Sequence, residues 1–294
     1  MNSQSTGGPR SPAWTILGVL DATRGWFTQR GIESARLDAE ILIAHALGIP
    51  RVMLYARFDQ PLSDEERAKI RALVSRRGKN EPIAYITGER EFWSLPLSVD
   101  ARVLVPRPDT EVLVEVALEH MRSLTAPRIL DVGTGSGAIA LALAHDLPAA
   151  IVLGVDISEG ALEVARSNAA RNALSVTFSA GDLLRGLSGP FDLVVANLPY
   201  VRAADIASLA PDVRAFEPHL ALDGGVDGLD LVRRLVDEAA TVLAPDGVIA
   251  LEAGFDQLDE VAGILSARNY RGVAVRNDYG GNPRVASAIA PLRG

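Results

Sequence analysis

Arg128-Ile129-Leu130-Asp131-Val132-Gly133-Thr134-Gly135-Ser136-Gly137 is the stretch on which the fold turns. Five residues of strand character run into a glycine-rich loop, and the pattern beyond it predicts a helix through about Ala144. Glycines here permit a tight turn and let the backbone approach a ligand at a helix N-terminus. Taken alone, the loop is equally a generic strand-to-helix turn, so the segments after it decide. Residues 151–155 read as a second strand followed by a helix over 160–172. Residues 176–178, 193–196 and 248–251 read as a third, fourth and fifth strand, with a helix at 229–243 before the last. Strands alternating with helices, the strands apolar on both faces, predict an α/β fold: a parallel sheet covered by helices on both sides.

Upstream the periodicity is helical. Trp14, Leu17, Leu20 and Phe27 lie on one face of a first helix, and Leu37, Ile41, Leu42 and Ala46 mark a second that Gly48-Ile49-Pro50 ends. Ser63-Asp64-Glu65-Glu66 has the capping-box spacing for a third helix through about Arg77. Its basic run, Arg67, Lys69, Arg71, Arg76, Arg77 and Lys79, reads as a solvated face or as a contact for an acidic partner. Phe92-Trp93-Ser94-Leu95-Pro96-Leu97-Ser98-Val99 reads as short strands around a turn. The expected organisation is a disordered tail at 1–12, a helical domain at 13–80, a β-hairpin linker at 81–105 and the α/β domain at 106–294.

The 294 residues are 48% hydrophobic and 22% charged, as in a soluble globular enzyme. No apolar run approaches the roughly 20 residues that span a bilayer, and the polar N-terminus does not read as a secretion signal. With no cysteine, disulfides, thiolate nucleophiles and cysteine-held metals are excluded, and the four histidines have no metal-ligand spacing. A cytoplasmic enzyme without metal is expected. The first 100 residues carry 13 basic against 12 acidic side chains and the rest 16 against 25, so +1 and −9. An acidic main domain argues against nonspecific binding to a phosphate backbone.

Three loops at the carboxyl ends of successive strands converge on one crevice, where ligands bind in such sheets. The first, Gly133, Thr134, Gly135, Ser136 and Gly137, lacks the third glycine of the G-x-G-x-x-G dinucleotide fingerprint, and Asp131 before it suits a cationic ligand better than a pyrophosphate. The second offers Asp156, whose carboxylate suits the two hydroxyls of an adenosyl ribose, with Ser158 beyond it as a helix cap. The third offers Asp182 and Leu183, where an acidic side chain suits the adenine amino group. Together they favour S-adenosylmethionine over NAD.

Asn197-Leu198-Pro199-Tyr200 closes the fourth strand. An Asn beside backbone carbonyls, then a proline and an aromatic ring, are the groups needed to hold a planar NH2 group while its nitrogen attacks an electrophile. Beside a methyl-donor site this tetrapeptide points to an amide or an exocyclic amino nitrogen as acceptor.

With these pieces in place, the chain resembles the release factor glutamine N5-methyltransferases, the bacterial PrmC/HemK family. The resemblance rests on Glu81-Pro82-Ile83-Ala84-Tyr85-Ile86-Thr87-Gly88, on Glu91-Phe92-Trp93 and on Val105-Pro106-Arg107-Pro108-Asp109-Thr110-Glu111. The glycine loop, Asp156, the Asn197 tetrapeptide and Glu217-Pro218, Gly225 and Asp227-Gly228 extend it over nearly the whole length. It implies a small helical domain for partner recognition and a seven-stranded, Rossmann-like methyltransferase domain. It also implies a substrate, the glutamine of the Gly-Gly-Gln loop in peptide chain release factors. Asn197, Leu198, Pro199 and Tyr200 would be the catalytic set, with Asn197 also bordering the cofactor. The expected protein is a cytoplasmic monomer that contacts neither membrane nor nucleic acid.

The family usually has Asn-Pro-Pro-Tyr, whereas Leu198 stands at the second position here. Asn-Leu-Pro-Tyr is familiar from rRNA adenine dimethyltransferases, which makes an adenine N6-methyltransferase the rival reading. A noncatalytic module retaining the crevice is the third. Residues 106–111 are expected to close over the cofactor, with Arg107 either contacting the substrate loop or pairing with Asp109 or Glu111.

Overall fold

The computed structural model describes residues 14–292, so the tail expected to be disordered at 1–12 lies outside the described residues. The chain divides into two compact units after Thr87. The first unit is all helical: α1 (Ile16–Thr28), α2 (Ala35–Leu47), α3 (Met53–Ala56), α4 (Asp64–Arg77) and α5 (Ile83–Thr87). Its boundaries follow from capping chemistry. Thr15 caps α1 by accepting from Gly18 N, and Gly48 ends α2 at φ +63°. Ser63 and Glu66 make both bonds of the capping box at the start of α4. Phe27, Leu42, Ile43, Leu54 and Ile70 fill its core. The basic run on α4 is largely neutralised from within: Arg67 pairs with Asp64, Lys69 with Glu65, Arg76 with Glu81 and Arg77 with Asp38. Among the residues expected in the linker, 83–87 fold as α5 and only the following stretch is extended.

The second unit opens with the antiparallel hairpin β1 (Glu89–Phe92) and β2 (Leu95–Ser98). Then come α6 (Glu111–Met121), β3 (Arg128–Val132), α7 (Ala138–Asp146), β4 (Ile151–Asp156), α8 (Glu159–Arg171), β5 (Thr177–Ala180) and β6 (Phe191–Asn197). The chain finishes with α9 (Pro211–Phe216), α10 (Asp230–Val242), β7 (Leu243–Glu252), α11 (Leu258–Ala267), β8 (Arg271–Asn277) and β9 (Pro283–Ile289). Seven strands form one sheet in the order β5-β4-β3-β6-β7-β9-β8. The expectation of a parallel sheet holds for the first five. It fails at the edge, where β9 runs antiparallel to both β7 and β8.

Side-chain alternation assigns the two faces. Val194, Ala196, Ile249 and Leu251 point into the core packed by α10 and α11. Leu193, Val195, Val248 and Ala250 point into the core packed by α6 and α7. Each buried Val, Leu or Ile among them contributes about 1.5–3 kcal/mol. The same parity carries past the apolar run: Asn197 and Glu252, paired across β6 and β7, fall on the α6 face. The strand order reverses at β3, which lies between β4 and β6, and that places the crevice above the carboxyl end of β3.

Candidate active site

At this switch point lies a cavity of about 340 Å³. Its wall brings together Gly133, Thr134, Gly135, Ser136, Asp156, Asp182, Leu183, Asn197, Leu198 and Pro199. Two of the expected site residues stay outside the lining. Gly137 caps α7 at φ +83°, and a Cβ there would meet Ala165, Leu141 and Phe178 at 3.2–3.3 Å, so its place is in helix packing. Tyr200, the second, is half-buried, and burial together with the nearby Glu252 pushes its hydroxyl up to about 12.

The glycine loop spends its hydrogen-bond donors inside the protein. Gly133 N and Thr134 N donate to Val155 O at 2.8 and 3.0 Å, Gly135 N to Asp156 Oδ2 at 2.8 Å, and Gly137 N to Thr134 O at 2.8 Å. A pyrophosphate loop presents such N–H groups to its ligand instead. The loop therefore offers shape and carbonyl oxygens, which suit a cation. Beneath it Asp131 is fully buried: Oδ2 accepts from Thr134 Oγ1 (2.7 Å) and Ala140 N (3.2 Å), while Oδ1 has no partner. Burial pushes this carboxyl up to about 7, and a positive charge above it would favour the ionised form.

Asp156 ends β4 with one backbone donor on each oxygen, Gly135 N on Oδ2 and Ser158 N on Oδ1 (2.9 Å). Each oxygen keeps a second acceptor position for a diol. Ser158 also caps α8 by accepting from Ala161 N, the capping role expected of it. Asp182, which lines the cavity, pairs with Arg234 through Oδ2 (2.9 Å). The two Asp156 oxygens with open acceptor positions, the acidic Asp182 in the lining and a loop whose glycine N–H groups are engaged within the protein fit S-adenosylmethionine.

The two halves of the wall touch at Gly133. A Cβ there would stand 3.1 Å from Leu198 Cδ2 and 4.0 Å from Asn197 O. Leu198, in place of the usual proline, is 4% exposed and belongs to the core under α10. Asn197 Nδ2 donates to Thr110 Oγ1 (3.1 Å) at the entry to α6.

Arg107 pairs with neither Asp109 nor Glu111. Its Nη2 donates to both carboxylate oxygens of Glu217, 2.7 and 2.8 Å away, while Asp109 lies 3.4 Å from Arg284 and Glu111 accepts from Trp93 N. Burial pushes the Glu217 carboxyl up, and Arg107 opposes the shift. Sequence reasoning missed two further residues. Asn168, fully buried on α8, accepts from Ser98 N and donates to Ser98 O and Ser136 O, tying the hairpin to the glycine loop. Glu252 sits behind Asn197, and the only signal for it was its place at the end of an apolar run.

Residues 19–88 match the PrmC N-terminal domain family and residues 109–212 the Methyltransferase small domain family. The chain is 47% identical over 273 residues to the release factor glutamine methyltransferase of Geobacter sulfurreducens, covering 92% of this chain and 95% of that one. It is 46% identical over 266 residues to the same-named protein of Bradyrhizobium diazoefficiens, covering 87% and 89%. Among solved structures, the hMettl16 catalytic domain in complex with MAT2A 3'UTR hairpin 6 is similar at a TM-score of 0.57 and 16% identity, covering 79% of this chain and 83% of that one. At that identity the likeness concerns the fold alone.

Proposed function

The chain belongs to the release factor glutamine methyltransferase family, and from that premise we propose that it methylates the side-chain nitrogen of the Gly-Gly-Gln glutamine in peptide chain release factors. The observation that carries the reading is the 47% identity to such an enzyme over 92% of the chain. The position of Asn197, against the glycine loop of the cofactor cavity, gives that reading its chemistry.

S-adenosylmethionine supplies an electrophilic methyl group on a sulfonium. Asp156 would accept the ribose hydroxyls, Asp182 and Leu183 would border the adenine, and residues 133–136 would line the site. An amide nitrogen is a poor nucleophile because its lone pair is delocalised into the carbonyl, so the protein's contribution is positional. Asn197 Oδ1 and the main-chain carbonyl at Leu198 accept the two N–H groups of the substrate amide and aim its nitrogen. Orientation of this kind supplies much of the acceleration. Pro199 shapes the turn, and Tyr200 flanks the amide plane. With its hydroxyl pushed up to about 12, Tyr200 stays neutral and does not serve as a base. The Arg107–Glu217 pair fixes the rim, where Arg107 lines the cavity.

The acceptor is a protein, reached by a monomer in the cytoplasm without nucleic-acid contact. The charge of −9 on residues 101–294 supports this over an adenine N6-methyltransferase. The test offers labelled S-adenosylmethionine to a mixture of purified release factor and rRNA. Label on the factor, located on the glutamine by mass spectrometry, is expected; label on RNA with none on the factor would overturn the reading.

A further inference from the structure

Glu252 is a buried carboxyl that the transfer chemistry above leaves unused. It ends β7 directly opposite Asn197 in the parallel register, on the face that α6 covers, and is 2% exposed. Its Oε2 is buried and meets no hydrogen-bond donor. A buried carboxyl with an empty acceptor position is costly unless something turns on it.

What turns on it is the orientation of a neighbouring amide. The two ends of a carboxamide are alike in size and opposite in polarity, so packing alone does not choose between them. On one side of Asn197 stands Thr110 Oγ1, which takes one Nδ2 hydrogen. The Thr110 hydroxyl has a single proton of its own, and with its lone pair engaged by Asn197 that proton is directed elsewhere. Polar contacts with the Thr110 and Asn197 side chains both favour the charged form of Glu252. An ionised carboxylate accepts only, so it selects the amide nitrogen as its neighbour and repels the amide oxygen.

We propose that Glu252, acting with Thr110, is the positioning residue that fixes the Asn197 carboxamide with its oxygen toward the cavity. The proposal rests on the acceptor role given to Asn197 above. It makes the alignment of the clamp depend on a proton. Burial pushes Glu252 up to about 7; Arg284 of β9 favours the charged form, whereas Asp109 in the Pro108–Thr110 turn disfavours it. Tyr200 also faces the carboxyl from the loop after β6, neutral throughout this range. When protonated, Glu252 becomes a donor and competes for the Asn197 oxygen that the substrate amide needs. Activity should therefore rise with pH through about 7.

The test compares Glu252→Gln, Thr110→Val and Thr110→Ser with the unaltered enzyme on a release factor. Glu252→Gln keeps the shape but adds a donor; kcat should fall about 10- to 100-fold, with cofactor affinity within about twofold. Its kcat should also lose the rise near neutral pH. Thr110→Val should behave alike and Thr110→Ser should recover, an outcome that packing alone does not produce. NMR of the Asn197 side-chain amide in the cofactor-bound protein gives a readout independent of substrate. Its NH2 resonances should titrate near pH 7 in the unaltered protein and not in Glu252→Gln. Titration without transfer to the release factor would sink the substrate reading and leave the positioning role standing. Transfer by Glu252→Gln within about twofold of the unaltered enzyme, with the same pH profile, would overturn the positioning role.

Discussion

The cavity has two rims that are built on opposite principles. In the glycine loop, Gly133, Thr134, Gly135 and Gly137 all donate their backbone N–H groups to protein acceptors, and Asn168 fixes Ser136 from behind. Across from it, the Asn197 side chain meets Thr110 and Glu252, and Glu252 keeps an unpartnered oxygen. One rim has the backbone donors of its glycines and Thr134 engaged within the protein. The other keeps acceptor positions open at the end of a strand whose preceding residues, 193–196, are apolar. On the function proposed above, the difference divides binding from transfer: the closed rim would recognise the cofactor by fit, and the open rim an NH2 group by unmet hydrogen bonds.

The division is broken most severely at Asn197. Asn197→Ala should lower the transfer rate by about 10³-fold or more, with cofactor affinity, measured by calorimetry, within about twofold. Equal loss of both would show that the rims do not work separately. Gly133→Ala should violate the division from the other side, because the residue touches both rims at φ +73° and its new Cβ would press on Leu198. Cofactor affinity and turnover should each fall about 10-fold. Loss of affinity alone would mean that the contact with Leu198 carries no strain across the cavity.

Smaller effects sharpen the comparison. Leu198→Pro would restore the usual tetrapeptide but remove a side chain buried under α10. Chemical denaturation should show a loss of about 1–3 kcal/mol, with kcat within about threefold. The smallest effect concerns Asp131, whose folded carboxyl is raised from 3.8 to about 7. A raised acid binds its proton more tightly when folded, so its stabilising contribution is complete below about 3.8 and is lost as pH rises through about 7. Asp131→Asn does not titrate. Its melting temperature should exceed that of the unaltered protein by a few degrees more at pH 8 than at pH 5. No difference between the two pH values would remove the buried carboxyl from the account of that rim.

The closed rim was legible in the sequence because its parts are local. A strand, three glycines and a capped helix follow one another within residues 128–146, and Asp156 ends the next strand. The helical unit was legible for the same reason, through the spacing of Leu17, Leu20 and Phe27, through Gly48 and through the Ser63–Glu66 box. What escaped depends on pairing between distant segments. Glu252 follows the run Val248-Ile249-Ala250-Leu251 and gains meaning only from its register with Asn197. Arg107 meets Glu217 across 110 residues, whereas local spacing suggested Asp109 or Glu111. The antiparallel edge escaped because β8 is largely exposed and carries Arg271, Arg276 and Asn277, which give no apolar run to follow. Gly137 was credited with ligand contact because a glycine needed for helix packing and one needed for a ligand look alike in a sequence.

The division of labour is tested most directly by the transfer rate of Asp156→Ala on a release factor as a function of cofactor concentration. Asp156 belongs to the closed rim alone, so half-saturation should move up about 10- to 100-fold while the rate at saturation returns to within about threefold of the unaltered enzyme. A plateau that stays far below it, however much cofactor is added, would contradict the account.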